Sequence, residues 1–117
     1  SAHYNDTGAR LPVNLPNAGG ALPGFDDDTV VEVWCTVDAS GYHIEPQRPL
    51  PHAVRGIVQQ LAEYQRLAAR AALDGGPADA VRALAANPLV PTLAVAEELY
   101  AELAHAHARY LPERLRG

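Results

Sequence analysis

The sequence predicts an α+β fold: short strands or an edge hairpin, followed by three helices. Three observations carry this. Residues 29–37 are dense in Val, Thr and Trp, the side chains that suit a pleated strand. From Val54 to Leu73 apolar residues recur every three or four positions, which is the helical period. Glycine pairs and Asn-Pro steps then divide the remainder into two further helix-length pieces.

Residues 1–8 are polar and end in Asp6-Thr7-Gly8, a turn signal. Leu11, Val13 and Leu15 alternate with Pro12, Asn14 and Pro16. That is a strand pattern, but proline donates no ladder bond, so an edge strand or extended segment is expected. Residues 17–24 contain Gly19, Gly20, Pro23 and Gly24 and read as a loop. Asp26-Asp27-Asp28 is an acidic turn. In the strand over 29–37 apolar residues are nearly continuous around Glu32, so cover on both faces is expected. Asp38-Ala39-Ser40-Gly41 is a hairpin-type turn, with Tyr42-His43-Ile44 as the return strand.

Pro46, Pro49 and Pro51 punctuate the crossing into helix, and Pro51 suits a first helical position. A long helix over 51–74 follows, striped by Val54, Ile57, Val58, Leu61, Tyr64, Leu67, Ala68 and Ala71. Asp74-Gly75-Gly76 stops it. A second helix starts at Pro77 and ends at Asn87-Pro88. Thr92 is an N-cap for a third, which carries Leu93, Val95, Ala96, Leu99, Tyr100, Leu103 and Ala104 and is expected to reach Arg109.

Length and charge set bounds. A chain of 117 residues is one domain at most. Its net charge of -5 disfavours nucleic acid or an acidic membrane as partner. No apolar run approaches the ~20 residues that cross a bilayer, and no signal-peptide pattern opens the chain. The single Cys35 cannot form an internal disulfide, which fits a cytoplasmic setting. A start on Ser1-Ala2, in a chain without Met, reads as a cleaved or engineered end.

No catalytic constellation emerges from spacing. His105 and His107 are two apart on a helix and point in nearly opposite directions, so they cannot share a metal. Asp26-Asp27-Asp28 lacks the spacing and closing Glu of a calcium loop. Gly19-Gly20 lacks the strand and helix that frame a phosphate loop. Cys35 reads as a buried inert thiol, and Tyr64 and Tyr100 as core. Asn14 and Asn17 flank Pro16 ahead of the glycines. Their amides can offer paired donors and acceptors to a sugar or phosphate, or they can bond local backbone in Asx-turns; both readings stand.

The segments Val13-Asn14-Leu15-Pro16-Asn17-Ala18-Gly19, Val31-Glu32-Val33-Trp34-Cys35, Pro49-Leu50-Pro51, Tyr64-Gln65-Arg66-Leu67, Asn87-Pro88-Leu89-Val90-Pro91 and Tyr110-Leu111-Pro112 occur in that order. Together they resemble the C-terminal end of glycoside hydrolase family 4, the NAD- and metal-dependent 6-phospho-glycosidases, and its 6-phospho-β-glucosidase branch in particular. Trp34 stands where the family has proline, and an extra glycine follows Gly19. The resemblance implies a single C-terminal domain fragment, residues 1–117, of a lactate/malate dehydrogenase-like enzyme, without its Rossmann NAD domain. It implies NAD and Mn²⁺ in the parent enzyme and a phosphorylated disaccharide or glycoside as substrate. The implied reaction oxidises the sugar at C3, eliminates the aglycone, adds water and reduces C3 again, an exception to the two-carboxylate scheme. It places Asn14 and Asn17 on the substrate side and leaves no catalytic, cofactor-binding or metal-binding residue in this chain. The fragment is then expected to be inactive, to bind no cofactor, and to form a homo-oligomer through its helices. The competing reading is an autonomous α+β interaction module without catalysis. A domain cut from an enzyme exposes apolar stripes where its neighbouring layer is missing; an autonomous module does not.

Overall fold

The computed structural model describes residues 2–116. They form two compact units that divide between Ala53 and Val54.

The first unit is a three-stranded antiparallel sheet in the order β1-β2-β3. The strands are β1 (Ala9–Pro16), β2 (Val30–Asp38) and β3 (Gly41–Ile44). A short helix, α1 (Ala2–Asn5), precedes them where only a polar turn was expected. It is tied to the β2–β3 turn by His3 Nδ1 against the Asp38 carbonyl (2.9 Å) and by the Ala39 N–H bonding Asp6 Oδ1 (2.9 Å).

The register explains the two prolines of β1. Pairs run from Ala9↔Val37 to Pro16↔Val30. One step further, the Asn17 N–H bonds the Thr29 carbonyl at 2.8 Å. Antiparallel rungs alternate between bonded and non-bonded. Leu15, Val13, Leu11 and Ala9 are therefore the bonded rungs. Pro12 and Pro16 fall on the others, with their nitrogens toward the free edge. A proline costs no ladder bond there, and it withholds a donor from any strand that would add to that edge.

The inner face buries Val31, Val33 and Cys35 against Val13, Leu15, Leu22, Val37 and Ile44. The expected cover on both faces of β2 is absent among the described residues. Exposure alternates along the strand, and Val30 and Trp34 on the outer face remain 61% and 41% exposed. A strand alternates its side chains, and one layer of loop and strand can cover only one face.

The second unit holds α2 (His52–Leu73), α3 (Pro77–Ala86) and α4 (Leu93–Ala106), with a 3₁₀ turn at Glu113–Leu115. Thr92 caps α4 as expected, its Oγ1 accepting from the Val95 N–H (3.2 Å), and α3 has a cap the sequence reading did not include, Asp79 Oδ2 accepting from the Gly76 N–H (2.9 Å). The third helix ends three residues before Arg109 because His107 leaves helical geometry, its N–H still bonded to the Leu103 carbonyl. The 3₁₀ turn past Pro112 was not anticipated; three residues carry too little periodicity to show. Buried positions in this unit are Ala71, Ala83, Ala96, Ala104 and Leu115. Alanines allow close helix approach but bury little area each. The apolar stripe of α2 stays largely open, with Val54, Ile57, Val58 and Leu61 all exposed.

Candidate functional site

The two asparagines singled out in the sequence occupy different environments. Asn14 is exposed on the outer face of β1, opposite Glu32. Asn17 has no solvent exposure at all. Its Nδ2 donates to the carbonyls of Leu22 (3.1 Å) and Phe25 (3.0 Å), and its Oδ1 accepts from the Leu22 N–H (2.8 Å). Its backbone carbonyl accepts from the Gly20 N–H (2.9 Å). A side-chain amide offers two donors and an acceptor, and here all are engaged by backbone of the same loop. For Asn17 the local-backbone alternative is the arrangement seen.

That loop, residues 18–29, is shaped by Asn17 and by glycine. Gly19 and Gly20 have φ of +76° and +67°, a region side chains with a Cβ rarely enter. Both are exposed, so their value lies in the turn and not in close packing. Leu22 folds back onto the inner-face core, and the Ala21 carbonyl accepts from the Gln47 N–H at 2.8 Å.

The outer face of the sheet carries a cluster that the sequence did not reveal. Arg10 lies over the Trp34 ring, 4.2 Å from guanidinium carbon to ring centre. The same guanidinium holds Glu45 through Nε (2.8 and 3.1 Å) and Nη2 (2.9 Å). These hydrogen bonds keep the Glu45 carboxyl below its usual range and raise Arg10 further. Residues 35 apart in sequence meet only through strand register, so no local signal announces them. Asn14 shares this face.

A second cluster closes the β2–β3 turn. Ser40 Oγ donates to Asp38 Oδ1 (2.6 Å) and lies 2.9 Å from His43 Nε2, which is 3.2 Å from Asp38 Oδ2. The Ser40 hydroxyl and N–H bonds hold the Asp38 carboxyl low, with His43 adding to the effect. This is not a nucleophile: the serine proton is committed to the carboxylate, and one histidine nitrogen faces both partners. The cluster locks a turn.

The remaining candidates resolve simply. Cys35 is buried on the inner face, and burial pushes its thiol up. His105 and His107 are exposed at the end of α4. Tyr64 and Tyr100 are half-buried beside an apolar cavity of about 400 Å³ lined by alanines of α2, α3 and α4. The Tyr100 hydroxyl is spent on the Leu115 carbonyl (3.0 Å). No described helix is long and apolar enough to cross a membrane. Among the described residues no three of His, Cys, Asp or Glu converge as metal donors. The described side chains therefore do not fit a divalent metal.

Fold and site together give an α+β chain with an asparagine-braced glycine loop beside a three-stranded sheet. Residues 1–90 match the family 4 glycosyl hydrolase C-terminal domain, and the chain belongs to that family. It is 41% identical over 113 residues to a probable 6-phospho-β-glucosidase of Bacillus subtilis, covering 97% of this chain and 25% of the relative. The 6-phospho-β-glucosidase of Thermotoga maritima, solved with manganese, NAD⁺ and glucose 6-phosphate, superposes with a TM-score of 0.80 at 29% identity, over 91% of this chain and 26% of that one. A 6-phospho-α-glucosidase from gut microorganisms, solved with NAD and glucose 6-phosphate, gives a TM-score of 0.87 at 27% identity, over 96% of this chain and 25% of that one. The chain thus spans about a quarter of the length of the relatives it matches.

Proposed function

We propose that this chain is the C-terminal part of an enzyme that hydrolyses phosphorylated glucosides, in the 6-phospho-β-glucosidase branch. The observation that carries the branch is the 41% identity to the Bacillus subtilis relative over nearly the whole chain. NAD and Mn²⁺ are proposed for the whole enzyme, as is the course of oxidation, elimination, addition and reduction. None of those steps is assigned to a side chain of these 117 residues. A cytoplasmic setting is proposed with them. Asn14 is proposed as a substrate-facing side chain, because it is exposed and its amide has room to meet a sugar hydroxyl or phosphate oxygen.

The test is kinetic. The full-length enzyme is expected to cleave a chromogenic 6-phospho-β-glucoside faster than its α-anomer, and the reverse order would move it to the other branch. One hydrogen bond to substrate is worth about 1.5 kcal/mol, so Asn14→Ala should lower kcat/KM about tenfold. An exposed strand position should leave the Tm nearly unchanged. Lost stability with normal kinetics would remove Asn14 from the site.

Self-association is also proposed. Ile57 is 57% exposed, with Val54, Val58 and Leu61 exposed beside it on α2. An open stripe of this kind is what a domain drawn from a larger enzyme presents, and it favours this reading over the autonomous module. A symmetric dimer is the commonest way to cover such a stripe. Sedimentation at tens of micromolar should show a dimer or larger species, and Ile57→Glu should shift it toward monomer; a monomeric parent chain would speak against the idea.

A further inference from the structure

We infer that Asn17 is a positioning residue of the substrate site: it sets the conformation of the glycine loop and touches no substrate itself. The inference rests on the reading that this region faces a phosphorylated glucoside, and it goes beyond that reading by separating the roles of the two asparagines. Asn17 lies at the last rung between β1 and β2, where its N–H bonds Thr29. The chain then leaves the ladder for a loop that has no strand partner. Leu22 and Phe25 are half-buried, and backbone groups turned away from water are costly without a partner, so the Leu22 N–H and the Leu22 and Phe25 carbonyls gain from one. The Asn17 amide is that partner through all three of its side-chain bonds, from a fully buried position. Those bonds fix both ends of the segment that carries Gly19, Gly20 and Gly24. That segment is glycine-rich and therefore soft by itself. With its amide spent, Asn17 has neither a free donor nor an open path to a ligand. What it presents to solvent is the exposed turn at Gly19 and Gly20, beside the strand that bears Asn14.

Chemistry supplies a specific test. Asn17→Asp keeps the shape and the acceptor for the Leu22 N–H. At high pH it turns two donors into a charged oxygen facing two carbonyls. Burial and those carbonyls both raise the carboxyl's pKa. On acidification it gains a proton and one of the lost donors returns. Asn17→Ala has no such recovery. In the full-length enzyme at 25 °C, with both variants confirmed folded by circular dichroism, hydrogen exchange at the Leu22 N–H should quicken at least tenfold in Asn17→Asp at pH 8. The KM for a 6-phospho-β-glucoside, relative to wild type at the same pH, should rise at least tenfold while kcat changes less than threefold. That KM ratio should fall toward one by pH 6 in Asn17→Asp but not in Asn17→Ala. Unchanged exchange at Leu22 overturns the inference whatever the kinetics show. Faster exchange with unchanged KM overturns the link between loop and substrate. Equal losses in both variants at every pH mark a merely structural residue and also overturn it. A wild-type enzyme without activity on any 6-phospho-glucoside overturns the function reading itself, and is seen before any variant is made.

Discussion

The 117-residue polypeptide, purified by itself, is expected to hydrolyse a chromogenic 6-phospho-glucoside no faster than buffer does, with or without NAD and Mn²⁺. Three features of the chain lead there. A divalent ion needs converging hard or borderline donors, and among the described residues no three of His, Cys, Asp or Glu come together. The asparagine-braced loop offers glycines with positive φ, but no helix follows it to form a dinucleotide-type phosphate site. The cavity among α2, α3 and α4 is walled by Ala, Leu and Tyr together with His107, and no Lys or Arg lines it to pair with a phosphate. Binding of NAD should accordingly be absent at micromolar concentration in a calorimetric titration. Measurable turnover, or a micromolar dissociation constant for NAD, would mean that this chain holds catalytic machinery of its own.

Much of the architecture was legible because its causes are local. Helix periodicity, proline at Pro77 and the Thr92 cap lie within a few residues of what they specify, and those elements begin where the sequence put them. The edge character of β1 was legible from Pro12 and Pro16 for the same reason. The Arg10–Trp34–Glu45 stack was not legible, because it depends on two strand registers at once. Nor was the burial of Asn17. An asparagine before glycines is equally suited to solvent and to bracing a loop, and only the return of Leu22 to the core decides between them. The one-sided cover of β2 was misread for a related reason. Val30, Val31, Val33, Trp34 and Cys35 form an apolar run, and a run by itself does not say that Val30 and Trp34 face outward.

That alternation yields the largest expected effect on stability, measured on two adjacent residues. Val33 is buried on the inner face between Val31 and Cys35, whereas Trp34 points the other way and keeps 41% of its surface exposed. Val33→Asp removes about 1.5–3 kcal/mol of apolar burial. It also asks a carboxylate to sit among Val13, Leu15 and Ile44, at a cost of several kcal/mol even if the group protonates. The sum rivals the ~5–15 kcal/mol that holds a whole domain together. The sheet unit should therefore unfold, with loss of β signal in circular dichroism and loss of the slow-exchanging N–H groups of β2. Trp34→Asp places the same charge one residue along, on a face open to water. It loses the Arg10 stack but leaves the inner core and the β1–β2 ladder intact, and a folded sheet is expected. If Trp34→Asp unfolds the sheet as thoroughly as Val33→Asp, then the outer face is covered in solution, and the alternation described along β2 is not what governs its stability.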